Sequence, residues 1–323
     1  MRRSLLLRPD ATLRSDLSEA ELEAALKEGM SVLWLDLDAA DPGAPQLLHR
    51  VFAFHPLAVE DSFDDRANAP KVDDYGSYLF ILAQSVSLDA RGQLQLEDVG
   101  IFLGPNYVVT VREGQAPAVD ELFGRALENP HLVSRGADFL AHTVLDALVD
   151  ELLPAVEAMD ARLDELEQRI LERPGRDLLA EVLLLRRTTL RLRRSILPER
   201  DMANRLSRGE FPIIRNEALI FYRDVYDHIV RVEEMLDGLR DIADSALSSY
   251  LSAVNNRMNE VMKALSVVAV IFLPLTLIAS IYGTNLDYSH FGIHFEYGFY
   301  LMLAVMAAIA AGLIVFFRKR GWF

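Results

Sequence analysis

Residues at steps of three and four near the C-terminus could do chemistry together: Asn255, Asn259, Met262, Leu265, Ala269, Leu273, Thr276, Ser280 and Gly283. On a helix this spacing makes one stripe, close to the seam by which parallel helices pack around an axis. Its content is graded along its length. It runs from amide (Asn259) through apolar (Met262, Leu265, Ala269, Leu273) to hydroxyl (Thr276, Ser280), and ends at Gly283-Thr284-Asn285. No charge lies on it. Neutral oxygens can hold a strongly hydrated divalent ion through its own waters and still release it. A ring of apolar side chains can gate such a path by dewetting. The same pattern also serves plain helix packing with small polar residues as glue.

The elements carrying this stripe are legible in the hydropathy. Ala264 to Tyr282 gives 19 residues without a formal charge, and Tyr297 to Phe317 gives 21 more. About 20 apolar residues span a bilayer, so both are transmembrane candidates. Arg318, Lys319 and Arg320 follow the second span, and Arg257 and Lys263 precede the first. The loop 283–296 has no Lys or Arg, so both termini are expected in the cytoplasm. Arg8, Asp10 and Arg14 interrupt the N-terminal apolar run, which therefore does not read as a signal peptide. Two spans cannot enclose a pore, so an oligomer is required.

The chain has 323 residues, no cysteine and a net charge of −15. After Lys263 two acids (Asp287, Glu296) face three bases, a balance of +1, which leaves −16 for the preceding part. That part repels nucleic acid and attracts cations. Thiolate metal sites are excluded. No phosphate-binding glycine loop and no Ser-His-Asp spacing appears, so no enzyme is indicated and no cofactor is expected. His290 and His294, an i, i+4 pair in the outer loop, could meet a borderline metal such as Zn²⁺.

Residues 1–135 read as a mixed α/β cytoplasmic domain. Ser18 to Glu28 is a helix with a Ser18/Glu21 capping box, closed by Gly29. Val32 to Leu37 alternates like a half-buried strand. Tyr78 to Leu88 is a strand, and Val99–Leu103 with Tyr107–Val111 is a hairpin about Gly104-Pro105-Asn106. Residues 136–212 read as a helical hairpin. Ala137 to Glu172 forms one helix that Pro154 kinks, and Asp177 to Leu197 returns. The acids of the first (Asp160, Asp164, Glu165, Glu167) would face the bases of the second (Arg186, Arg187, Arg191, Arg193, Arg194). Residues 213–263 form a stalk. Helix continues from there to Gly283, roughly 70 residues and about 105 Å. Residues 264–323 hold the transmembrane hairpin: a first span over 264–282, the outer loop 283–296, a second span over 297–317 and a basic end over 318–323.

Asn259-Glu260-Val261-Met262-Lys263, Phe272-Leu273-Pro274-Leu275-Thr276 and Ile281-Tyr282-Gly283-Thr284-Asn285 resemble the CorA-type magnesium/cobalt transporter family. His55-Pro56-Leu57 with Glu60-Asp61, Leu145 to Asp150, Leu171 to Pro174 and Phe221 to His228 extend the resemblance over nearly the whole chain. It implies an α+β cytoplasmic domain followed by a long-helix stalk and a two-helix transmembrane hairpin, assembled as a funnel-shaped homopentamer in the inner membrane. It implies Gly283, Thr284 and Asn285 as selectivity filter and Arg318, Lys319 and Arg320 as a basic ring. Mg²⁺ would be both substrate and regulatory ligand. Asp61 and Asp224 would be carboxylates paired between subunits, with Glu60 and Asp146 close by. The family signature is Gly-Met-Asn, whereas this chain has Thr284 in the middle; zinc-handling relatives also change that residue. The outer loop usually carries Met-Pro-Glu, and here reads Ser289-His290-Phe291, leaving Asp287 and Glu296 to attract cations. The expectation is Mg²⁺ transport, with Co²⁺ or Ni²⁺. Zn²⁺ transport and a non-transporting pentameric sensor or scaffold are the alternatives.

Overall fold

The structure, a computed structural model, describes residues 2–64, 68–88, 94–114, 116–284 and 295–322. The chain divides into two compact units, 1–169 with 175–247, and 170–174 with 248–323.

The first unit is built on a seven-stranded sheet. Its strands are β1 (Arg2–Leu7), β2 (Leu13–Ser15), β3 (Val32–Asp38), β4 (Lys71–Asp74), β5 (Leu79–Leu88), β6 (Leu94–Leu103) and β7 (Tyr107–Arg112). The spatial order is β2-β1-β3-β7-β6-β5-β4, and only β3 and β7 pair in parallel. Short helices cover one face: α1 (Glu19–Glu28), α2 (Ala44–Leu47), which runs on into a π-helical turn, and α3 (Pro56–Asp61). Leu22, Leu48 and Val59 pack there against Leu33, Leu35, Phe80 and Phe102. The other face meets α4 (Pro117–Glu128), α5 (His131–Ser134), α6 (Ala137–Asp150) and parts of the later helices through Trp34, Ile81, Ile101 and Val108. Both faces are thus covered. For this reason β3 is buried on every inner residue instead of alternating with solvent. The capping box on α1 forms: Glu21 accepts from the Ser18 backbone N–H at 2.9 Å, and Gly29 closes the helix at φ +67°.

Three helical expectations need correction. Residues 137–172 make two helices, α6 and α7 (Leu152–Glu172), separated at Glu151. Pro154 falls in the first turn of α7, where a missing N–H costs nothing, so the chain restarts there instead of kinking. The Glu151 carboxylate uses the break. It accepts from Ser85 Oγ (2.6 Å), the Val86 N–H (3.2 Å) and the Ala118 N–H (2.8 Å), tying the joint to β5 and to the start of α4. The next helix, α8 (Arg176–Ser207), runs through Pro198 and ten residues beyond the expected end at Leu197. A proline inside a helix costs about 3 kcal/mol. Burial of Met202, Ala203 and Leu206 beyond it outweighs that, at about 1.5–3 kcal/mol for each large side chain. The basic face of α8 does not meet α7. Arg186, Arg193 and Arg200 reach forward to Asp244, Asp237 and Glu233 of α9 (Asn216–Tyr282), at 2.7, 2.7 and 2.9 Å. Across the α7–α8 turn the ion pair is the reverse of that expected, Arg162 of α7 with Glu181 of α8.

Helix α9 is 67 residues without a break, about 100 Å at 1.5 Å per residue. Its C-terminal part, with α10 (Phe295–Lys319), makes up most of the second unit. Both helices are long and apolar enough to cross a membrane.

Candidate ion pathway and metal-binding cluster

In the second unit α9 has two unlike faces. Val267 is 4% exposed, and Lys263, Ile271, Pro274, Leu275 and Ile278 are partly covered. Lys263 assigns this face to α10, because its ammonium donates to the Gly321 carbonyl at 3.0 Å and lies 5.5 Å from the Trp322 ring. The stripe lies on the opposite side. Asn255, Asn259, Met262, Leu265, Ala269, Leu273, Thr276, Ser280 and Gly283 are all exposed, Leu273 at 70%. Met262, Leu265 and Leu273 on this side are left bare on one chain, an apolar surface that lipid or other helices can cover.

The hydroxyls on this face are already oriented. Thr276 Oγ1 donates to the Phe272 carbonyl at 2.8 Å, and Thr284 Oγ1 donates to the Ile281 carbonyl at 2.6 Å. With their protons so used, both oxygens keep lone pairs for incoming hydrogens. A hydrated cation presents water hydrogens outward, and such acceptors suit it. Pro274 has no N–H to give the Val270 carbonyl one turn earlier. Gly283 still continues the helix, its N–H donating to the Ala279 carbonyl at 2.9 Å. Asn285, Asp287, His290 and His294 lie outside the described residues. Glu296 falls in the first turn of α10.

The basic end is organised by a glycine. Gly321 has φ +68°, and its N–H bonds the Arg318 carbonyl while the Trp322 N–H bonds that of Phe317. This pairing, with Trp322 against Phe317 at 5.3 Å, is the Schellman closure of a helix. Arg318 and Lys319 sit in the last turn, and the Arg320 guanidinium lies over the Phe316 ring at 5.3 Å.

In the first unit the expected regulatory acids fall into two groups. Asp61, the last residue of α3, accepts from Lys71 Nζ at 2.7 Å; Glu60 beside it is exposed. Asp146 on α6 joins Asp150 one turn on and His228 of α9, with one ligand atom of each within 4.8 Å of the others. The His228 ring nitrogens lie 3.7 Å from Asp150 Oδ1 and 4.0 Å from Asp224 Oδ1. Asp146 Oδ1 is buried and has no hydrogen-bond partner among the described residues. Burial, then the negative charge of Asp150, pushes the Asp146 carboxyl above its ordinary range. Two carboxylates and an imidazole with an unsatisfied oxygen fit a hard or borderline divalent cation. Sequence reading missed Lys71, Asp150 and His228. The signal for two of them was available, because Asp146/Asp150 and Asp224/His228 are both i, i+4 pairs on helices.

Comparison with known proteins places the chain in a family. Residues 29–319 match the family model described as CorA-like Mg2+ transporter protein. The cobalt/magnesium transport protein CorA of Thermotoga maritima is 35% identical over 279 residues, covering 86% of this chain and 79% of that protein. The zinc transport protein ZntB of Pectobacterium carotovorum is 24% identical, covering 90% and 87%. The structure of the CorA magnesium transporter from Methanocaldococcus jannaschii superposes with a TM-score of 0.82 at 21% identity, over 99% of this chain and 98% of that one. Members of this family are transporters or channels and not enzymes. The chain belongs to the CorA-like Mg2+ transporter protein family.

Proposed function

We propose that this chain is one subunit of a homopentameric channel that passes hydrated Mg²⁺, and also Co²⁺ and Ni²⁺, across the cell inner membrane, with both termini in the cytoplasm. The carrying observation is the graded stripe of α9, exposed and turned away from the chain's own α10. In the assembly Asn259 forms the inner mouth, and Met262 to Leu273 form a dry gate. Thr276 and Ser280 line a wet section, and Gly283, Thr284 and Asn285 form the filter. Asp287 and Glu296 attract cations to the outer mouth, and Arg318, Lys319 and Arg320 form the basic ring. No nucleotide or other cofactor takes part, and the ion moves down the membrane potential.

Regulation uses the acids of the first unit. Cytoplasmic Mg²⁺ bridges Asp61 and Glu60 of one subunit with Asp224 of the next, while Asp146, Asp150 and His228 hold a second ion within a subunit. When Mg²⁺ falls, like charges repel and the interface loosens. The identity with a zinc transport protein and the Thr284 departure support a second reading, in which Zn²⁺ is the transported ion.

Purified protein in liposomes loaded with a divalent-sensitive dye tests both readings. Mg²⁺ influx above empty vesicles, lost in Asn285→Ala, is the expected result. Influx of Zn²⁺ without Mg²⁺ favours the second reading, and no flux of any metal leaves only a non-transporting sensor or scaffold. Asp224→Lys is expected to weaken inhibition by internal Mg²⁺.

A further inference from the structure

Because α8 spends Arg186, Arg193 and Arg200 on α9, two charged stripes are left over. On α7, Glu157, Asp160, Asp164 and Glu167 follow steps of three, four and three along one face. They are exposed or half-exposed, with no ion-pair partner among the described residues. On α8, Arg187, Arg191 and Arg194 are exposed and similarly unpaired among the described residues. They continue a line from Leu184, which is 48% exposed. Glu157 to Glu167 and Leu184 to Arg194 each cover eleven residues, about 15 Å of helix.

We infer that these stripes are the two halves of one contact between copies of this chain, the acidic face of α7 in one subunit seating on the basic face of α8 in its neighbour. The spacing supports this beyond the opposite signs. Read forward on α7 and backward on α8, the steps coincide. An antiparallel approach therefore brings Glu157 to Arg194, Asp160 to Arg191 and Asp164 to Arg187 in a single register, with the Glu167 stem beside Leu184. Arginine is suited to such pairs, because its planar fork meets a carboxylate with two bonds. The two surfaces differ, so the contact is head-to-tail, and repetition closes a ring when the rotation allows. One ionic rung in water is weak. Three in register act mainly on the choice of partner and register. The inference rests on the oligomer proposed above.

The chain has no cysteine, which makes the test clean. Full-length Asp164→Cys/Arg187→Cys protein in detergent micelles, oxidised with copper phenanthroline, is expected to give a ladder of disulfide-linked subunits on a non-reducing gel. Chains carrying Asp164→Cys alone, mixed by co-expression with chains carrying Arg187→Cys alone, are expected to give a linked dimer. Adding Asp160→Arg to the double-cysteine chain is expected to slow linkage severalfold, and adding Arg191→Asp as well to restore it. A gel with only monomer, from protein that light scattering finds oligomeric, overturns the docking and leaves the oligomer standing. Monomer by light scattering overturns the oligomer itself. Linkage indifferent to the charge changes overturns the ionic register.

Discussion

Replacing Asp146 with Asn should make the metal-free protein more stable and cost it most of its response to Mg²⁺. The ligand atoms of Asp146, Asp150 and His228 lie within 4.8 Å of one another. Two unit charges at that separation repel by roughly 3 kcal/mol at an effective dielectric constant of about 20. The Asp150 side chain is 65% exposed, so water screens this to about 1 kcal/mol. Asn keeps the shape and removes one charge, which relieves the repulsion in the empty site. The same charge anchors a cation. A site filled at about 100 times its dissociation constant stabilises the fold by about 2.7 kcal/mol. For a unit of this size about 1 kcal/mol moves the melting temperature by about 2–4 °C. Thermal melts of the full-length protein in EDTA should therefore rise by a few degrees in the variant. The Mg²⁺-induced rise, about 5–10 °C in the parent by the same conversion, should fall by more than half. A variant less stable in EDTA that keeps the full Mg²⁺ response would refute the assignment and make Asp146 a packing residue.

Leu273→Asn, which wets the proposed dry gate, should raise Mg²⁺ flux in liposomes at inhibitory internal Mg²⁺; unchanged flux would remove Leu273 from the constriction. Burial lifts the Glu199 carboxyl from its ordinary value of 4.5 to about 8. The folded pKa is raised, so its contribution is complete below pH 4.5 and is lost as pH rises through 8. Glu199→Gln should flatten the fall in stability between about pH 4.5 and 8 in urea titrations, while a fall at the low end of that range persists through Asp98, whose pKa burial also raises. Lys263→Ala removes the donor to the Gly321 carbonyl and the cation beside Trp322. Faster amide exchange at 318–322 should follow, and unchanged exchange would mean that the Schellman closure suffices alone.

Features set by neighbours along the chain could be read from the sequence. The Ser18/Glu21 capping box, the two uncharged spans, the 3-4 stripe from Asn255 to Gly283 and the family motifs all depend on residues a few positions apart, where backbone geometry fixes who meets whom. Features set by a choice among distant partners could not. Arg186, Arg193 and Arg200 could have turned to the acids of α7 or to those of α9, and no local rule separates the two. Pro198 signals an end to α8, but burial of Met202 and Leu206 overrides it. Asp61 was legible as an acid, yet Lys71 beside it was not. Asp150 and His228 complete a cluster with Asp146 only because α6 and α9 pack side by side. Sequence alone thus determined the membrane helices, the chemistry of their exposed wall and the family. Tertiary structure decided which charges are paired within the chain and which are left without a partner among the described residues, because pairing energy depends on distance in space.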